Sequence, residues 1–355
     1  MLDLTQDVRT LTAAVVDIPS VSGAEQALAG LVEEALRGLP HLEVDRSGET
    51  VVARTGLGRA ERVLIAGHLD TVPVAGNLPS RVEGGLLHGC GTSDMKAGVA
   101  VALKLAATVP DPVRDVTYVF YDCEEVEAER NGLNRVAREH PGWLAADFAV
   151  LMEPTDGEIE GGCQGTLRAE VRVTGKRAHS ARSWFGVNAV HGAEPVLARL
   201  NAYRARRPVV DGLEYHEGLN AVGVRGGVAG NVIPDECVVT VNYRFAPDLT
   251  IEAAQSHVRE VFEGYEVTFV DAAPGARPGL THPVAAAFTE AVGGTPRAKL
   301  GWTDVARFSA LGVPAVNYGP GDPNLAHQKG EYVTLEKIVE SERAMRAWLT
   351  GGRTQ

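Results

Sequence analysis

Imidazole and carboxylate side chains stand where apolar runs of this chain end. His68 and Asp70 follow the run 62–66, and residues two apart in an extended strand point to the same side. Asp70 could therefore accept one ring proton of His68 and leave the other ring nitrogen to bind a metal. A lone buried histidine is more often a hydrogen-bonded core residue, so the pair alone does not decide between the two roles.

Further oxygen and nitrogen donors have a similar setting. Asp94 lies in a glycine-rich turn that opens a helix, where capping the helix is the alternative role. Glu124 and Glu125 follow the apolar run 116–121. Adjacent carboxylates face opposite ways, so one could bind a metal while the other acts on a water, although a solvated acidic loop is the alternative. The remaining candidates are Glu153, after an apolar run, and His327, in a loop beyond the run 313–316.

These donors are more informative together than singly, because all of them follow predicted buried strands or lie in loops at the functional edge of an α/β sheet. The set of two imidazoles and three carboxylates, without thiolates, suits two zinc ions a few ångströms apart with one carboxylate bridging them. Its members are His68, Asp94, Glu125, Glu153 and His327.

Composition excludes several classes of function. The 355 residues are 45% hydrophobic and 23% charged, which is typical of a globular protein large enough for two domains. A formal net charge of -12 argues against nucleic-acid or anionic-membrane partners. Neither a signal peptide nor a membrane span is indicated, so a cytoplasmic location is expected. The four cysteines form no Cys-x-x-Cys pair, so neither a disulfide framework nor a thiolate zinc site is expected.

The elements that must position the candidate residues alternate in the first half of the chain. Ser22 and Glu25 form a capping-box pattern before a helix predicted at 26–37. Short apolar runs predict buried strands, and an Ala-rich stretch predicts a second helix. The strands are expected at 63–66, 116–121 and 148–152, and the second helix at 95–107. This alternation predicts an α/β domain.

The pattern changes near residue 166. We predict strands at 167–173, 221–225, 237–245 and 266–270 and helices at 187–206 and 251–262. Their order along the chain, β-α-β-β-α-β, indicates a ferredoxin-like α+β domain. Helix and strand alternate again beyond a Pro/Gly-rich linker. We therefore expect a discontinuous domain of residues 1–165 and 277–355, with residues 166–276 inserted.

The motifs also resemble a known family over nearly the whole chain. They are Gly-His-x-Asp-Thr-Val-Pro at 67–73, Gly-x-x-Asp-Met-Lys-x-Gly at 91–98, Glu-Glu at 124–125, Glu-Pro at 153–154 and the late His327. In this order they resemble the motifs of the dizinc aminoacylase and carboxypeptidase superfamily. The resemblance implies a zinc-peptidase-like catalytic domain, with a mixed sheet between helices, and an inserted lid or dimerisation domain. It also implies two zinc ions, with cobalt possible in one site.

The resemblance assigns a role to each candidate residue of the first domain. Asp94 would bridge the two zinc ions, His68 and Glu153 would complete one site, and Glu125 and His327 the other. Glu124 would be the general base and Asp70 the residue that orients His68. A non-proline cis peptide bond between Asp94 and Met95 is also implied.

The inserted domain would supply most of the remaining contacts. The resemblance implies that His179 reaches the active site, usually of the partner subunit in a homodimer, and stabilises the oxyanion. Asn231 and Arg244 resemble contacts to a substrate carboxylate, and Thr303 resembles a residue near the acyl pocket. Each of these residues has an alternative role. His179 could be an exposed histidine and Asn231 a turn residue. Arg244 could be an exposed charge of a sheet and Thr303 a helix cap. Arg182 is a further basic residue that could meet an anionic substrate.

The implied activity is hydrolysis of a small N-acyl amino acid at its amide bond. The motifs are most similar to those of members that release succinate and LL-2,6-diaminopimelate from N-succinyl-LL-2,6-diaminopimelate. Two positions depart from those members, because Trp302 stands where they carry Gly and Arg182 where they carry Tyr. Acetylornithine deacetylase activity, or a broader N-acyl-amino-acid amidohydrolase, is the alternative enzyme. A non-catalytic metal-binding scaffold is the alternative of another class, although such a protein would be expected to lack the base or a ligand.

Overall fold

The computed structural model describes residues 2–352, and these fall into two units. The first unit contains the chain up to Gly161, Pro278–Arg297 and the chain from Arg307 onwards. The second contains Gly162–Arg277 and Ala298–Ala306. The short segment 298–306, which the sequence placed with the first domain, thus clusters with the second unit. Within it, the indole N–H of Trp302 donates to the main-chain oxygen of Pro274 at 3.1 Å.

The helices of the described chain are α1 (Val8–Val16), α2 (Gln26–Arg37), α3 (Ala97–Thr108), α4 (Gly132–Glu139), α5 (Glu194–Ala202), α6 (Ile251–Val261), α7 (Pro283–Val292), α8 (Val305–Ala310) and α9 (Leu335–Thr350). The strands are β1 (Glu43–Ser47), β2 (Thr50–Arg54), β3 (Arg62–His68), β4 (Arg81–Glu83), β5 (Leu86–His88), β6 (Asp115–Tyr121), β7 (Phe148–Leu151), β8 (Glu160–Gly161), β9 (Gly165–Thr174), β10 (Ala178–His179), β11 (Val209–Val210), β12 (Leu213–Glu214), β13 (Gly218–Gly226), β14 (Val232–Ile233), β15 (Glu236–Phe245), β16 (Glu266–Ala273), β17 (Arg297–Ala298), β18 (Ala315–Asn317) and β19 (Tyr332–Thr334).

A mixed sheet organises the first unit, in the strand order β1-β2-β6-β3-β7-β18-β8-β17. Its middle strands β6, β3, β7 and β18 are parallel, and antiparallel strands flank them. Every residue of β6 and β7 is buried, which explains why these strands are apolar runs rather than alternating ones. Helix α3 is also almost wholly buried and packs against α1, α9 and β3. The predicted α/β class is confirmed.

The second unit contains an antiparallel sheet in the order β13-β15-β9-β16. With α5 and α6 it has the β-α-β-β-α-β element order and the strand order of a ferredoxin-like domain, as predicted. The alternating sequence of β9 buries Leu167, Ala169, Val171 and Val173 against a core that includes residues of β15 and α6. The other face of β9 carries its polar residues.

The predicted helix 187–206 is wrong at both ends, because α5 covers only Glu194–Ala202. Val187 instead forms a β-bridge, and the side chain of Asn188 accepts two main-chain N–H groups of the following turn. Pro195 occupies the first turn of α5, where its missing N–H removes no helical hydrogen bond. Local hydrogen bonding by an asparagine thus overrides a helix-like apolar pattern.

Two findings bear on the chain as a whole. Across residues 2–352, the helices lack the combination of length and apolar character that a membrane span requires. The cysteines are free thiols and all are buried: Cys90, Cys123, Cys163 and Cys237.

Candidate metal centre

Adjacent parallel strands bring the predicted ligands to one edge of the central sheet. His68 is the last residue of β3, Glu124 and Glu125 follow β6, and Glu153 follows β7. Since β6, β3 and β7 are neighbours and parallel, their carboxyl ends lie side by side. The imidazole of His68 is fully buried there.

Asp94 approaches this edge from a tight turn. Gly91 begins the turn with a φ of 78°, a left-handed conformation that glycine adopts readily, and the irregular segment Thr92–Lys96 leads into α3. The peptide bond between Asp94 and Met95 is cis, which confirms the prediction. One carboxylate oxygen of Asp94, Oδ1, lies 3.1 Å from Nε2 of His68. The other, Oδ2, lies 3.5 Å from Nε2 of His327.

The loop after β18 completes the cluster. His327 has a φ of 62°, and its Nε2 lies 2.8 Å from Oε1 of Glu125. Two glycines let this loop pass close to the other site segments. A Cβ on Gly319 would lie 2.6 Å from the main-chain oxygen of Glu153, and one on Gly321 would lie 2.4 Å from that of Ser93. Any larger residue at either position would push these segments apart.

The donors form overlapping groups, each with ligand atoms within 4.8 Å of one another. One group contains His68, Asp94 and Glu153, a second contains Asp94, Glu125 and His327, and a third contains His68, Glu124 and Glu125. The first two share Asp94, whose two carboxylate oxygens face different imidazoles. Imidazole and carboxylate donors without thiolate suit zinc and similar divalent cations, so this donor set fits two metals sharing one carboxylate.

Electrostatic coupling within the cluster is strong. Burial opposes ionisation of Asp94, yet its hydrogen bonds to His327 and His68 hold its pKa below the usual range. Burial would likewise lower the pKa of His68, but Asp70 and Asp94 raise it well above its ordinary value. Hydrogen bonds to Asp94 and Glu125 raise the pKa of His327 to about 10. Metal binding would release these imidazole protons, because ligating nitrogens must be unprotonated.

The carboxylate of Asp70 does more than contact His68. Nδ1 of His68 is 3.0 Å from the main-chain oxygen of Asp70 and 3.4 Å from its Oδ1. The same buried carboxylate accepts the main-chain N–H groups of Glu124, at 3.0 Å, and Glu125, at 3.1 Å, and the hydroxyl of Ser22, at 2.7 Å. Asp70 therefore holds the segment that carries two acidic site residues.

Glu25 is a site-supporting residue that the sequence did not reveal. Its carboxylate is buried and accepts the N–H groups of Gly23, at 2.8 Å, and Cys123, at 3.1 Å. The predicted capping box of Ser22 and Glu25 is therefore wrong, because Ser22 donates to Asp70 and Glu25 holds the residue before Glu124. The only sequence signal was a polar residue pattern, which also fits a capped helix.

The residues predicted from the inserted domain lie in the second unit. Strand β10 pairs with β14, so His179 lies opposite Val232, and the N–H of Ser180 donates to the main-chain oxygen of Asn231 at 2.9 Å. His179 is exposed, and its Nδ1 accepts the N–H of Ala181 at 3.0 Å. The structure thus brings His179 and the segment of Asn231 together.

Arg244 lies on the central strand β15 of the second sheet, between Thr166 of β9 and Gly218 of β13. It is partly buried, and burial lowers its pKa. Within the described part of the chain its guanidinium has no hydrogen-bond or ion-pair partner. Thr303 is buried and its main-chain oxygen accepts the thiol of Cys163, whereas Arg182 is exposed.

An α/β sheet with this set of donors and a further carboxylate, Glu124, at one edge is the architecture of a metal-dependent hydrolase. The family model described as Peptidase family M20/M25/M40 matches residues 64–350. The chain belongs to this family and is a metal-dependent amide hydrolase.

Known relatives match over the full chain. A Mycobacterium tuberculosis protein named putative succinyl-diaminopimelate desuccinylase DapE is 59% identical over 354 residues, which are 99% of this chain and 100% of that protein. The Corynebacterium glutamicum succinyl-diaminopimelate desuccinylase is 49% identical over 360 residues, covering 98% of each chain. The solved structure of Bacillus subtilis YXEP, described as a dinuclear metal binding peptidase from the M20 family, has a TM-score of 0.72 at 18% identity and covers 96% of both chains. That last likeness concerns the fold.

Proposed function

We propose that this enzyme hydrolyses N-succinyl-LL-2,6-diaminopimelate to succinate and LL-2,6-diaminopimelate, a step of lysine and diaminopimelate biosynthesis. The observation that carries the proposal is the full-length identity of 59% and 49% to relatives named for that activity. The donor cluster of the first unit and Arg244 of the second give the proposal a chemical basis.

The proposed metal centre contains two zinc ions, with cobalt as an alternative occupant of one site. Asp94 would bridge them, His68 and Glu153 would hold one, and Glu125 and His327 the other. The distances from Asp94 to both imidazoles and from His327 to Glu125 support this division. Bound zinc would polarise the amide carbonyl and lower the pKa of water.

Glu124 would act as the general base and then as the general acid. Its carboxylate belongs to one of the donor groups but is not needed to complete either proposed metal site. It can therefore accept a proton from the attacking water and return it to the departing amine. Asp70 would position this base, because it binds the N–H groups of Glu124 and Glu125 together.

His179 would stabilise the oxyanion. Because its Nδ1 accepts a main-chain N–H, the proton of the neutral ring lies on Nε2, which is then a hydrogen-bond donor. A donor aimed at developing negative charge is the usual means of stabilising the transition state of acyl transfer. We propose that His179 acts in the active site of the partner subunit of a homodimer.

The homodimer would form through the second unit. Strand β13 is an edge of its sheet and exposes Val222 (59%), Val224 (55%) and nearby Val228 (66%). An apolar, unpaired strand edge favours pairing with another strand. The inserted domain would thus serve both as a lid and as a dimerisation domain, and sedimentation velocity on the wild type should show a dimer.

Arg244 and Asn231 would bind carboxylates of the substrate, with Thr303 near the acyl group and Arg182 as an additional cation. A partly buried guanidinium without a partner among residues 2–352 suits a carboxylate ligand, because Arg binds carboxylate in a bidentate manner. The substrate class would therefore be a small N-acyl amino acid with several carboxylates.

The decisive experiment compares N-succinyl-LL-2,6-diaminopimelate with N-acetylornithine on the purified, metal-loaded enzyme. We expect kcat/KM to be at least about 100-fold higher for the succinyl substrate, because leaving the partly buried guanidinium of Arg244 without a carboxylate is costly. Preference for N-acetylornithine would identify a deacetylase instead. Turnover of neither compound, but of other N-acyl amino acids, would identify a broader amidohydrolase.

A further inference from the structure

Glu331 connects two segments of the proposed metal centre. It lies four residues after His327, and its side chain is buried at 2% exposure. Its Oε1 accepts the main-chain N–H groups of Ser93, at 2.7 Å, and Asp94, at 3.0 Å. Its Oε2 accepts that of Gly91 at 3.0 Å. One carboxylate thus binds three N–H groups of the turn that ends in Asp94.

The main chain around Glu331 strengthens this contact. Its carbonyl oxygen accepts the N–H of Gly89 at 3.2 Å, and the hydroxyl of Ser93 donates to the carbonyl oxygen of Tyr332 at 2.8 Å. The N–H of Glu331 donates to the carbonyl oxygen of Gln328, the residue after His327, at 3.1 Å. The turn of Asp94 and the loop of His327 are therefore tied to one residue.

The turn needs such an acceptor. Asp94 and Met95 have non-helical φ/ψ angles, so the N–H groups of the turn lie at the start of α3 without carbonyl partners in a preceding helical turn. Buried N–H groups without an acceptor are costly, at about 1–3 kcal/mol each. A carboxylate has enough lone pairs for all three N–H groups, whereas a carboxamide offers one acceptor atom and one donor group.

We propose that Glu331 is a positioning residue that sets the direction of the bridging carboxylate of Asp94 relative to His327. The inference rests on the proposed metal ligands, and it assigns Glu331 no contact with metal or substrate. Fixing the main chain on both sides of the shared site fixes the separation of the Asp94 and His327 donors. Loss of Glu331 should therefore alter metal binding as well as stability.

The alternative is a merely structural carboxylate, and the chain contains a matched example. Asp115, at the start of β6 and hence at the opposite end of that strand from Glu124, is also buried. It accepts the N–H groups of Leu57 and Arg59, each at 2.8 Å, and the hydroxyl of Thr55 at 2.7 Å. Asp115→Asn is therefore the control for a lost main-chain acceptor away from the site.

The experiment uses full-length Glu331→Gln, Asp115→Asn and wild type, titrated with Co²⁺ and Zn²⁺ against a chelator. We expect Glu331→Gln to bind at least one of the two metals about 10–100-fold more weakly and to show an altered visible absorption spectrum with cobalt, because residues supporting ligands contribute at this level. Asp115→Asn should lower the melting temperature but leave metal affinity and spectrum as in wild type.

An unchanged metal affinity and cobalt spectrum in Glu331→Gln, with only a lower melting temperature, would overturn the proposal. If Glu331→Gln does not fold, Glu331→Asp replaces it, because the shorter side chain keeps the charge but cannot reach all three N–H groups of the turn. Wild-type affinity and spectrum in that variant would equally refute the coupling. These measurements do not use turnover, so a wild type that binds two metals without cleaving the succinyl substrate would refute the proposed function alone.

Discussion

Replacing Asp70 by Asn tests whether the carboxylate positions the proposed base. In the wild type, Oδ1 accepts the N–H of Glu124, and Oδ2 accepts the N–H of Glu125 and the hydroxyl of Ser22. An asparagine side chain has a single acceptor oxygen. Whichever way its amide turns, one of the two main-chain N–H groups faces an NH₂ group.

The size of the effect follows from this geometry. One buried N–H group without an acceptor costs about 1–3 kcal/mol if the turn keeps its position. If the turn shifts to relieve the clash, Glu124 moves with it, and a displacement of about 1 Å costs about 100-fold in rate. We therefore expect Asp70→Asn to lower kcat by about 100-fold or more and the melting temperature by a few degrees.

The assay is steady-state hydrolysis of the succinyl substrate, together with calorimetry and metal analysis. Ser22→Ala is the control, because it removes a donor to Asp70 but leaves both main-chain hydrogen bonds. Its stability should fall by about 1 kcal/mol, with less than about 10-fold loss of kcat. If Asp70→Asn is destabilised but keeps kcat within about threefold of wild type, Asp70 holds the fold and not the base, and the reasoning is wrong.

Three further changes test other parts of the site, and a fourth tests the buried thiol of Cys163. Glu124→Gln should retain both metals in elemental analysis but lose turnover by about 10²–10⁴-fold, because it cannot accept a proton; substantial residual activity would remove Glu124 from the mechanism. His179→Ala mixed with Glu124→Gln should regain part of the activity through subunit exchange, whereas no recovery despite proven exchange would exclude action across a dimer. Arg244→Met should raise KM for the succinyl substrate by about 10–100-fold with a smaller change in kcat, and an unaltered KM would contradict the carboxylate contact. Burial raises the pKa of the Cys163 thiol from 9.0 to about 11. As the pH rises, the unfolded state therefore loses this proton before the folded state does. The stability due to this shift is present below pH 9 and is lost between pH 9 and 11. The difference in unfolding free energy between wild type and Cys163→Ala should change by about 1 kcal/mol between pH 8 and 10, and a constant difference would show that the thiol does not titrate in this way.

The sequence predicted the parts of the fold that depend on local pattern. Runs such as those of β3 and β6 are apolar because strands buried on both faces have no polar side, so they were recognisable without the structure. The cis bond after Asp94 followed from family resemblance and is confirmed. The helix at 187–206 was overextended, because Asn188 uses its side chain to begin a turn, and this choice depends on nearby tertiary contacts.

The supporting carboxylates could not be predicted in the same way. Glu25 contacts Cys123, 98 residues away, and Glu331 contacts Asp94, 237 residues away. No periodicity links such positions, and a glutamate three residues after a serine has an equally good local explanation as a helix cap. The chemical types of the ligands were recognisable because metals restrict them, but a main-chain N–H group can donate to any nearby oxygen.

The hydrogen-bonding needs of irregular site turns nevertheless supply a rule for finding such residues. The consecutive N–H groups of Cys123, Glu124 and Glu125 are bound by Glu25 and Asp70, and the turn before Asp94 is bound by Glu331. A turn that directs side chains towards a metal cannot also have the regular hydrogen bonding of a helix or a strand. Its buried N–H groups therefore require acceptors from elsewhere. A site of this kind should therefore contain more buried carboxylates than its metals and its base require.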